Sequence, residues 1–491
     1  MDSSESSPLL SSEITPTSIA SPDTENCSSR PVKPPWARIV VLLLLFLVFL
    51  DLGYELITPA QTRVFEQILC SLYYRSDPDP VKSGGRDGAE EKWCKVAPIQ
   101  GGVAAVKGWQ LTFDSPFAPM LIFSVPWAYV ADFYGRNPVL LLDSAALFGK
   151  YVFVQFICYL QGDISLNWTW LSALHTAFGG SVTVVTALIY TIISDVVPEE
   201  KRVAIFFQVL TATITTQFLG SLMSAALMTW NPWIPMLLGL AIELAAIATL
   251  LFIPETKNYN ATDPLGLVSP PTSTDDPRPR LEPWQGVAWH TRHFLSFLFS
   301  DRRIPLILST FTIHMLFLNR DVLLQYISTR YSISLAQATA IISIRSGAVI
   351  FICVVLLPAL SIYCRNRVGP NRSDLFLARI SAVIIVLTFL GIGLAPSLPG
   401  LISALTLNAL GWGLWSFLRS LLTSLIEAEK VARLNTFIGV FDTIGLMVGS
   451  PLLAELFARG IDLQGCWFGL PFLACAGVIT IFLGLLLVVR V

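Results

Sequence analysis

The sequence predicts an all-α polytopic membrane protein with twelve transmembrane helices in two six-helix halves. Hydrophobic residues make up 54% of the 491 residues and charged residues only 13%, a composition that excludes an ordinary soluble protein. Long apolar runs recur along the chain, and a helix of about 20 such residues crosses a bilayer. A polar linker leaves six of these runs on each side. The net charge of −2 provides no positive field that would favour nucleic acid.

The chain divides into a tail, two halves and a linker. Residues 1–36 are rich in Ser and poor in large apolar side chains, so we expect a disordered cytoplasmic tail. The N-terminal half covers residues 37–253 and contains a long polar outer loop at residues 59–107. Residues 254–303, rich in Pro, Asp, Arg and Thr, are predicted to be a cytoplasmic linker before the C-terminal half at residues 304–491.

Each half is predicted to contribute six spans. Both halves carry a similar short pattern in their first span, VFLD at residues 48–51 and LFLN at residues 316–319. This similarity favours degenerate repeats with a site near the midplane of their interface. The spans are placed at residues 38–58, 109–131, 139–160, 168–193, 203–230, 232–253, 304–327, 336–362, 375–394, 401–425, 436–456 and 469–489.

Basic residues in the short loops set the predicted orientation. The loops on the side of the turn at residues 132–137 carry eight basic residues, whereas the opposite short loops carry only Arg330 and Arg459. Cytoplasmic loops are enriched in Lys and Arg, so the turn and both termini are expected in the cytoplasm. The eight residues are Arg136, Lys201, Arg202, Arg365, Arg367, Arg372, Lys430 and Arg433.

The turn between the second and third spans carries the pattern D-x-x-G-R at Asp132, Gly135 and Arg136. It resembles the loop between the second and third helices of the major facilitator superfamily, whose form is G-x-x-x-D-[RK]-x-G-R-[RK]. Three positions depart from that form, namely Ala128, Phe133 and Asn137. The resemblance implies a transporter in which Asp132 caps the start of the eleventh helix and holds the inner gate shut, with Asn435 as an alternative cap.

Two further stretches resemble motifs of the same family. Asp195, Pro198 and Arg202 follow the fourth span and resemble the family's loop at that position. His175 stands in the fourth-helix motif where an Arg is usual. A histidine there could titrate near neutral pH, or be neutral and packed, so its role stays open.

The part of the chain from residue 50 to residue 202 resembles a fungal branch of the superfamily. This branch includes exporters associated with secondary-metabolite gene clusters, so the resemblance implies export. The fifth span lacks the Gly-Pro pair of drug and proton antiporters, because Ser221 follows Gly220, and no motif fixes the direction of transport. The matching patterns are Glu66-x-x-x-Cys70, Cys94-Lys-Val-x-x-x-Gln100, Gly108-Trp and the turn at Asp132.

The predicted outer loop contains two cysteines, Cys70 and Cys94. In an oxidising compartment they could pair and staple the loop. Two free thiols are the alternative, and Cys466 in another outer loop leaves the pairing open. Asn167 begins a glycosylation sequon on the same side of the membrane.

Ionisable residues inside the spans are the candidates for the proton and substrate path, because a charge at bilayer depth is costly and tends to face a cavity or a partner. Asp51 and Glu55 are four residues apart and share one face of the first helix. The set is completed by His175, Arg320, Asp321 and Arg345. We expect a cavity lined by helices one, seven and eight, where a carboxylate carries the proton. The alternative is that Arg320 and Asp321 form a structural gate or lie at the outer interface.

The sequence contains no motif of an enzyme, since it lacks a P-loop, C-x-x-C, H-E-x-x-H and G-x-S-x-G. We expect no metal and no cofactor apart from a proton gradient. The expected function is secondary active export of an organic small molecule. Uptake of a nutrient or vitamin-like anion and a receptor without flux are the alternatives. The expected partners are the substrate and the bilayer, without nucleic acid, for a monomer in the plasma membrane or else a vacuolar or endosomal membrane.

Overall fold

The regular secondary structure of the described residues is entirely helical, which confirms the predicted all-α class. The predicted tail, apart from Trp36, lies outside them, as do residues 257–302 of the predicted linker. The computed structural model describes residues 36–75, 90–114, 127, 130–131, 134–160, 164–178, 182–256, 303–317, 320–425 and 431–488.

The N-terminal half contains the helices α1 to α6 and a 3-10 helix at Glu91–Cys94 between the first two. α4 combines a long 3-10 stretch with an α-helix, and the others are α-helical. Their bounds are Trp36–Tyr73 for α1, Ala97–Asp114 for α2, Arg136–Tyr159 for α3, Leu166–Phe178 and Val182–Val196 for α4, Glu199–Met228 for α5 and Trp233–Leu250 for α6.

The C-terminal half contains α7 to α12, and three of these are interrupted. α7 consists of three short pieces, α8 includes a π-helical turn and α10 includes a 3-10 turn. Their bounds are Arg303–Ser309, Phe311–Phe317 and Arg320–Arg330 for α7; Leu335–Phe351, Ile352–Leu356 and Leu357–Val368 for α8; Pro370–Leu394 for α9; Leu398–Asn408, Ala409–Trp412 and Gly413–Ser424 for α10; Val431–Leu463 for α11; and Leu470–Val488 for α12.

Within the described ranges, nine helices are long and apolar enough to cross a membrane, namely α1, α3, α5, α6 and α8 to α12. The other three, α2, α4 and α7, are each followed or interrupted by residues outside those ranges. α4 still contributes a shorter apolar helix at Val184–Val196. The arrangement is consistent with the twelve predicted spans.

The predicted outer loop at residues 59–107 is wrong in extent. α1 continues to Tyr73 and α2 begins at Ala97, so the stretch without α-helix is much shorter. Polar residues after an apolar run usually mark the end of a membrane span, which is why the sequence predicts a loop from residue 59. Arg63 and Glu66 are instead buried against other protein groups. A charged side chain with an internal partner can therefore lie well inside a continuous helix.

Each half has its own apolar core, and the halves meet along two helix pairs. α2 packs against α11, and α5 packs against α8. Gly108 of α2 lies so close to Ala454 of α11 that an added Cβ would come within 2.9 Å of the Ala454 Cβ. The hydroxyl oxygens of Ser221 on α5 and Ser343 on α8 are 2.9 Å apart. Small and hydroxyl side chains thus hold the two halves together on either side of their common axis.

The irregular turns of α8 and α10 lie against each other. In α8 the π turn comes immediately before Pro358, which has no backbone N–H to continue the regular ladder. The Leu357 N–H bonds instead to the Ile352 carbonyl, five residues back. Val349, Ile352 and Ala409 are buried together where the two turns meet. The irregular turn of α8 is therefore buried against α10, and the Leu357 N–H keeps a hydrogen-bond partner within its own helix.

Candidate functional site

A cavity of about 220 Å³ lies between the two halves. Its walls come from α1, α7 and α8, the three helices expected from the sequence, and also from α2 and α11. Apolar side chains form much of the lining, so the cavity can receive a largely apolar molecule. Its polar lining residues are Tyr54, Glu55, Thr58, Arg320, Asp321 and Thr339.

An ion pair between Glu55 and Arg320 joins the halves at this cavity. The Arg320 Nη1 atom is 2.5 Å from the Glu55 Oε1 atom. The Glu55 side chain is 4% exposed and that of Arg320 is 28% exposed, so the guanidinium reaches the open space while the carboxylate is enclosed. Removing one partner of such a pair leaves a buried charge uncompensated, which costs about 3–5 kcal/mol.

A second ion pair crosses between the halves beside the first. Lys107 of α2 approaches Asp321 of α7, with 3.4 Å between the Lys107 Nζ and the Asp321 Oδ1 atoms. Both side chains are largely buried. Each half thus supplies one cation and one anion, and the two pairs together are electrically neutral. Rearranging the halves must separate or exchange these partners.

The structure does not bring all the predicted path residues to the cavity. Asp51 lies one turn from Glu55 but accepts a hydrogen bond from the Thr213 hydroxyl of α5 instead. Arg345 is buried, and its guanidinium lies 5.7 Å from the centre of the Trp412 ring of α10. Neither residue lines the cavity. Sequence depth alone could not separate them from Glu55 and Arg320.

His175 also lies away from the cavity, in the 3-10 part of α4. Its Nδ1 atom is 2.9 Å from the Ser172 carbonyl oxygen, and the side chain is buried. This part of α4 packs against α2 and α3. Asn167, the predicted sequon residue, is exposed at the start of the same segment.

The end of the bundle that holds Cys70 and Cys94 is called here the disulfide end. The two cysteines are joined in a disulfide with a Cα–Cα distance of 5.3 Å, while Cys466 is an exposed free thiol. The bond ties the end of α1 to the short 3-10 helix before α2. It fixes the start of α2 close to α1, although the two cysteines are separated by 24 positions in the sequence.

Glu66 organises the polar contacts at the disulfide end. Its carboxylate is 1% exposed and accepts hydrogen bonds from three side chains. The donors are Arg63 at 2.5 Å, Lys95 at 2.6 Å and Gln100 at 2.6 Å. Charge-assisted hydrogen bonds of this kind are the strong ones in proteins. These hydrogen bonds stabilise the charged and polar side chains of this cluster inside the protein.

The same cluster reaches the C-terminal half through two hydrogen bonds. The Leu335 N–H, at the start of α8, donates to the Glu91 Oε1 atom at 2.6 Å. A carboxylate at a helix N-terminus satisfies an N–H with no partner in the helix and interacts favourably with the helix dipole. The Thr329 hydroxyl of α7 donates to the Gln100 side-chain oxygen at 3.1 Å. The disulfide end is therefore closed by contacts between halves.

The opposite end of the bundle, called here the Gly135 end, contains the predicted gating loop. Asp132 lies outside the described residues, so the predicted cap on α11 stays a prediction. Gly135 has a φ of +116°, a conformation that favours glycine, and α3 begins directly after it. Arg136 forms an ion pair with Asp195 of α4. The predicted motif residues of two loops are thus in contact.

Glu255, which follows α6, caps the N-terminus of α3. Its carboxylate accepts hydrogen bonds from the backbone N–H groups of Arg136 at 3.0 Å and Asn137 at 3.2 Å. In the next loop Pro198 precedes α5, and the Arg202 Nε donates to the Val197 carbonyl at 3.0 Å. These contacts join α3, α4 and α6 within the N-terminal half.

The C-terminal half repeats this arrangement at the same kind of position. Gly369 has a φ of +90° and α9 begins directly after it. Buried Asp374 accepts hydrogen bonds from Arg365 at 3.1 Å and from the Ser420 hydroxyl at 2.5 Å. These partners lie on α8, α9 and α10. The contact set again stays within one half.

Sequence reasoning missed three residues of these sites. Lys107 was placed at the edge of the outer loop, although its seven-residue spacing from Gln100 puts both on one face of α2. Glu255 and Asp374 follow or begin apolar runs and read as ordinary boundary residues. Their partners come from distant loops, so only a fold could reveal them. Among the described residues, no group of three or more His, Cys, Asp or Glu could hold a metal ion.

Comparisons with known proteins agree on one family. A family profile of the Major Facilitator Superfamily matches residues 99–450. The MFS efflux pump atnC of Emericella nidulans is 30% identical over 481 residues, which cover 96% of this chain and 92% of the pump. The MFS-type transporter aprT of Aspergillus flavus is 27% identical, over 91% of this chain and 88% of that protein. The D-xylose-proton symporter superimposes with a TM-score of 0.59 at 12% identity, covering 90% of this chain and 97% of that one.

Proposed function

Since the chain belongs to the Major Facilitator Superfamily, we propose that it is a secondary active exporter of an organic small molecule, working by alternating access. It is a multi-pass integral membrane protein, as its family and its apolar helices show. The proposal depends on one observation. Two ion pairs, Glu55–Arg320 and Lys107–Asp321, join the two halves beside a cavity. No enzymatic activity is proposed.

Export is favoured over uptake by the relatives. The atnC protein, which matches 96% of this chain, is an efflux pump by name. The proposed substrate class is a fungal secondary metabolite or a toxic organic compound, for which a mainly apolar cavity is suitable. Anion uptake stays the alternative, because Arg320 would be able to bind an anionic group once its pairing with Glu55 is released.

Proton coupling is proposed to act through the Glu55 carboxylate. A proton bound to a carboxylate oxygen of Glu55 removes its negative charge and weakens its attraction to Arg320. The halves could then separate at this point, and Arg320 could meet the substrate instead. Releasing the proton restores the pair. One ion pair thereby links proton binding to the arrangement of the halves.

The Gly135 end is proposed to face the cytoplasm, because the short loops at this end carry most of the basic residues. The disulfide end then faces the oxidising outer or lumenal side, where the Cys70–Cys94 bond is stable. With its disulfide end closed, the structure corresponds to a state that receives substrate from the cytoplasm. We propose a monomer in the plasma membrane, with a vacuolar or endosomal membrane as the alternative.

The test uses sealed vesicles that contain the full chain and a mixture of organic small molecules. Accumulated compounds are identified by mass spectrometry with and without an imposed pH gradient. Glu55→Gln should abolish the response to the gradient, because an amide does not take up the proton. Glu455→Gln is the matched control, since Glu455 is exposed and pairs only with Arg459 on the same helix. Equal gradient-driven accumulation in wild type and Glu55→Gln would refute the role of Glu55.

A further inference from the structure

A histidine and an aspartate meet between α7 and α11, in positions that sequence analysis did not select. The Nδ1 atom of His314 is 3.0 Å from the Oδ1 atom of Asp442. The side chains are 20% and 13% exposed, so both are mostly enclosed. The ring of Trp415 on α10 lies 4.8 Å from the imidazole centroid. The pair is therefore held by three helices of the C-terminal half.

The pair lies deep in the bundle. His314 is the twelfth residue of α7 and Asp442 the twelfth of α11. At 1.5 Å per residue, each is about 16 Å from the start of its helix, which is near the middle of a hydrocarbon core of about 30 Å. An ionisable pair at this depth is costly to bury and by default marks a functional path.

Helix packing does not require the pair. α7 and α11 are already in close contact next to it, because a Cβ added to Gly445 would overlap the Thr312 carbonyl. A structural contact at this point could be made by apolar side chains without burying charge. The presence of two titratable groups instead points to chemistry that apolar residues cannot supply.

The pair is connected to the cavity. Leu446, which lines the cavity, is four residues after Asp442 on the continuous helix α11, so the two side chains share one face. Since α11 runs from the Gly135 end to the disulfide end, the pair lies one turn from the cavity on the side of the Gly135 end. A proton leaving the cavity in that direction would pass it.

Among the described side chains, the ion pair of His314 is formed with Asp442. Lys107 of α2, which packs along α11, pairs with Asp321 instead. α12, which also packs on this piece of α7, contains no charged residue between 470 and 488. On α10 the charged residue of the nearby segment is Arg419, which interacts with Tyr190 of α4. Trp415 contributes only its ring and a buried indole N–H.

We propose that His314 and Asp442 form a second proton-binding site, which relays protons between the cavity and the Gly135 end. An ionised carboxylate only accepts hydrogen bonds, so it selects the tautomer in which His314 Nδ1–H donates to Asp442. The Nε2 atom can then accept a proton from a hydronium ion in the cavity, so that an O–H bond of the hydronium breaks as the N–H bond forms and water is left. The imidazolium returns that proton to water at the Gly135 end, and no other reactant is needed. This inference rests on the proposed proton coupling.

The experiment follows histidine protonation directly and needs no substrate. The full chain, labelled with 15N-histidine, is reconstituted in lipid nanodiscs and titrated by NMR from about pH 5 to 9. We expect one resonance, absent in His314→Gln, to change from the protonated to the neutral form within this range. In Asp442→Asn its midpoint should fall, because the negative charge that favours the imidazolium is removed.

The resonance can be assigned even where His314→Gln does not fold. The chain contains four histidines, and a variant in which the other three are replaced by Gln retains His314 alone. A His314 resonance that stays constant over the whole range would overturn the proposal, as would a midpoint unchanged by Asp442→Asn. The other three are His175, His290 and His293.

The outcomes separate this inference from the proposed function. If vesicle accumulation responds to the pH gradient while His314 does not titrate, the relay is wrong and proton-coupled export stands. If His314 titrates while accumulation ignores the gradient, the proton site stands and the proposed coupling is wrong. If His314 relays protons, the His314→Gln substitution should also reduce gradient-driven accumulation at least about tenfold, as expected for loss of a proton-transfer group.

Discussion

The two ends of the helical bundle are held by polar contacts of different kinds. At the disulfide end the contacts cross between the halves, from Glu91 to the Leu335 N–H and from Gln100 to Thr329. At the Gly135 end the hydrogen bonds around Glu255 stay inside the first half and those around Asp374 stay inside the second. Opening the disulfide end must therefore break hydrogen bonds that opening the Gly135 end leaves intact.

The difference separates two tasks that polar residues perform in this protein. Contacts within a half keep its helices together while the half moves as a unit. Contacts between halves set the balance between the two open states, because they are made in only one of them. A variant at either end should consequently change either the stability of a half or the equilibrium between states.

Glu66→Ala should have the largest effect. It removes one of the two carboxylates that pair with the buried Lys95 and Arg63 and leaves Glu91 as the other, and breaking a buried charged cluster in this way costs up to about 3–5 kcal/mol of unfolding free energy. Thermal unfolding of the purified chain in nanodiscs measures the loss. Glu90→Ala is the control, because Glu90 pairs with Lys92 at the exposed surface and should change stability by less than about 0.5 kcal/mol.

Replacing both Cys70 and Cys94 by Ser should come next. The disulfide closes a loop of 24 residues, and its loss should lower the unfolding free energy by about 2–4 kcal/mol, chiefly through the freedom gained by the unfolded chain. Reduction of the wild-type chain should reproduce the change, while the same reductant should leave the Ser variant unaffected. An unfolding midpoint insensitive to both treatments would contradict the stabilising role of this bond.

Glu91→Ala should act on the balance between states. It removes the acceptor for the Leu335 N–H, a charge-assisted bond of about 1.5–3 kcal/mol, and should favour an open disulfide end by roughly tenfold or more. Glu91 also pairs with Lys95 and Arg63, which keep Glu66 as a carboxylate partner in this variant. The measurement is the rate at which a membrane-impermeant maleimide labels a cysteine introduced at Leu324, which lines the cavity. The background carries Cys466→Ser, because Cys466 is exposed.

The control for this labelling is again Glu90→Ala, since Glu90 carries the same charge as Glu91 and pairs with Lys92 at the exposed surface. Its labelling rate should equal that of the parent variant. Faster labelling in both variants would show that charge alone, and not the hydrogen bond to α8, controls the disulfide end.

Glu255→Gln should have the smallest effect. The amide can still accept a hydrogen bond at the start of α3, so the loss is the interaction of the negative charge with the helix dipole, about 0.3–1 kcal/mol. The thermal midpoint should fall slightly, and the labelling rate at position 324 should not change. A clear increase in labelling would show that this contact also influences the equilibrium between the halves.

The fold was predictable from the sequence because hydropathy reports directly on burial in lipid. The helix boundaries were less so: residues 59–73 looked like a loop because Arg63 and Glu66 are charged, yet their partners lie within the protein. Pattern placed Glu55, Arg320 and Asp321 at bilayer depth, and the structure puts them on the cavity wall. Asp51 lies on the same face of α1 as Glu55, yet it does not line the cavity. The sequence shows which residues share a helix face but not which neighbouring helix each of them meets.

Pairings between distant residues could not be predicted. His314 and Asp442 are 128 residues apart, and each alone has the same appearance as any polar residue in an apolar run. Lys107 was hidden by the error at the first loop, because a residue assigned to a loop is not considered for an intramembrane pair. In both cases the missing information was which helices are neighbours.

The cluster around Glu66 also has a consequence for how the protein is made. All of its members, with the disulfide, lie in the first 100 residues, whereas Leu335 follows Glu91 by 244 residues. At about 5–20 residues per second of synthesis, roughly 10 to 50 seconds separate the two. The residues of the disulfide end in the N-terminal half are thus synthesised well before α8, which packs against them. The N-terminal half can therefore fold first and provide a surface on which the C-terminal half assembles.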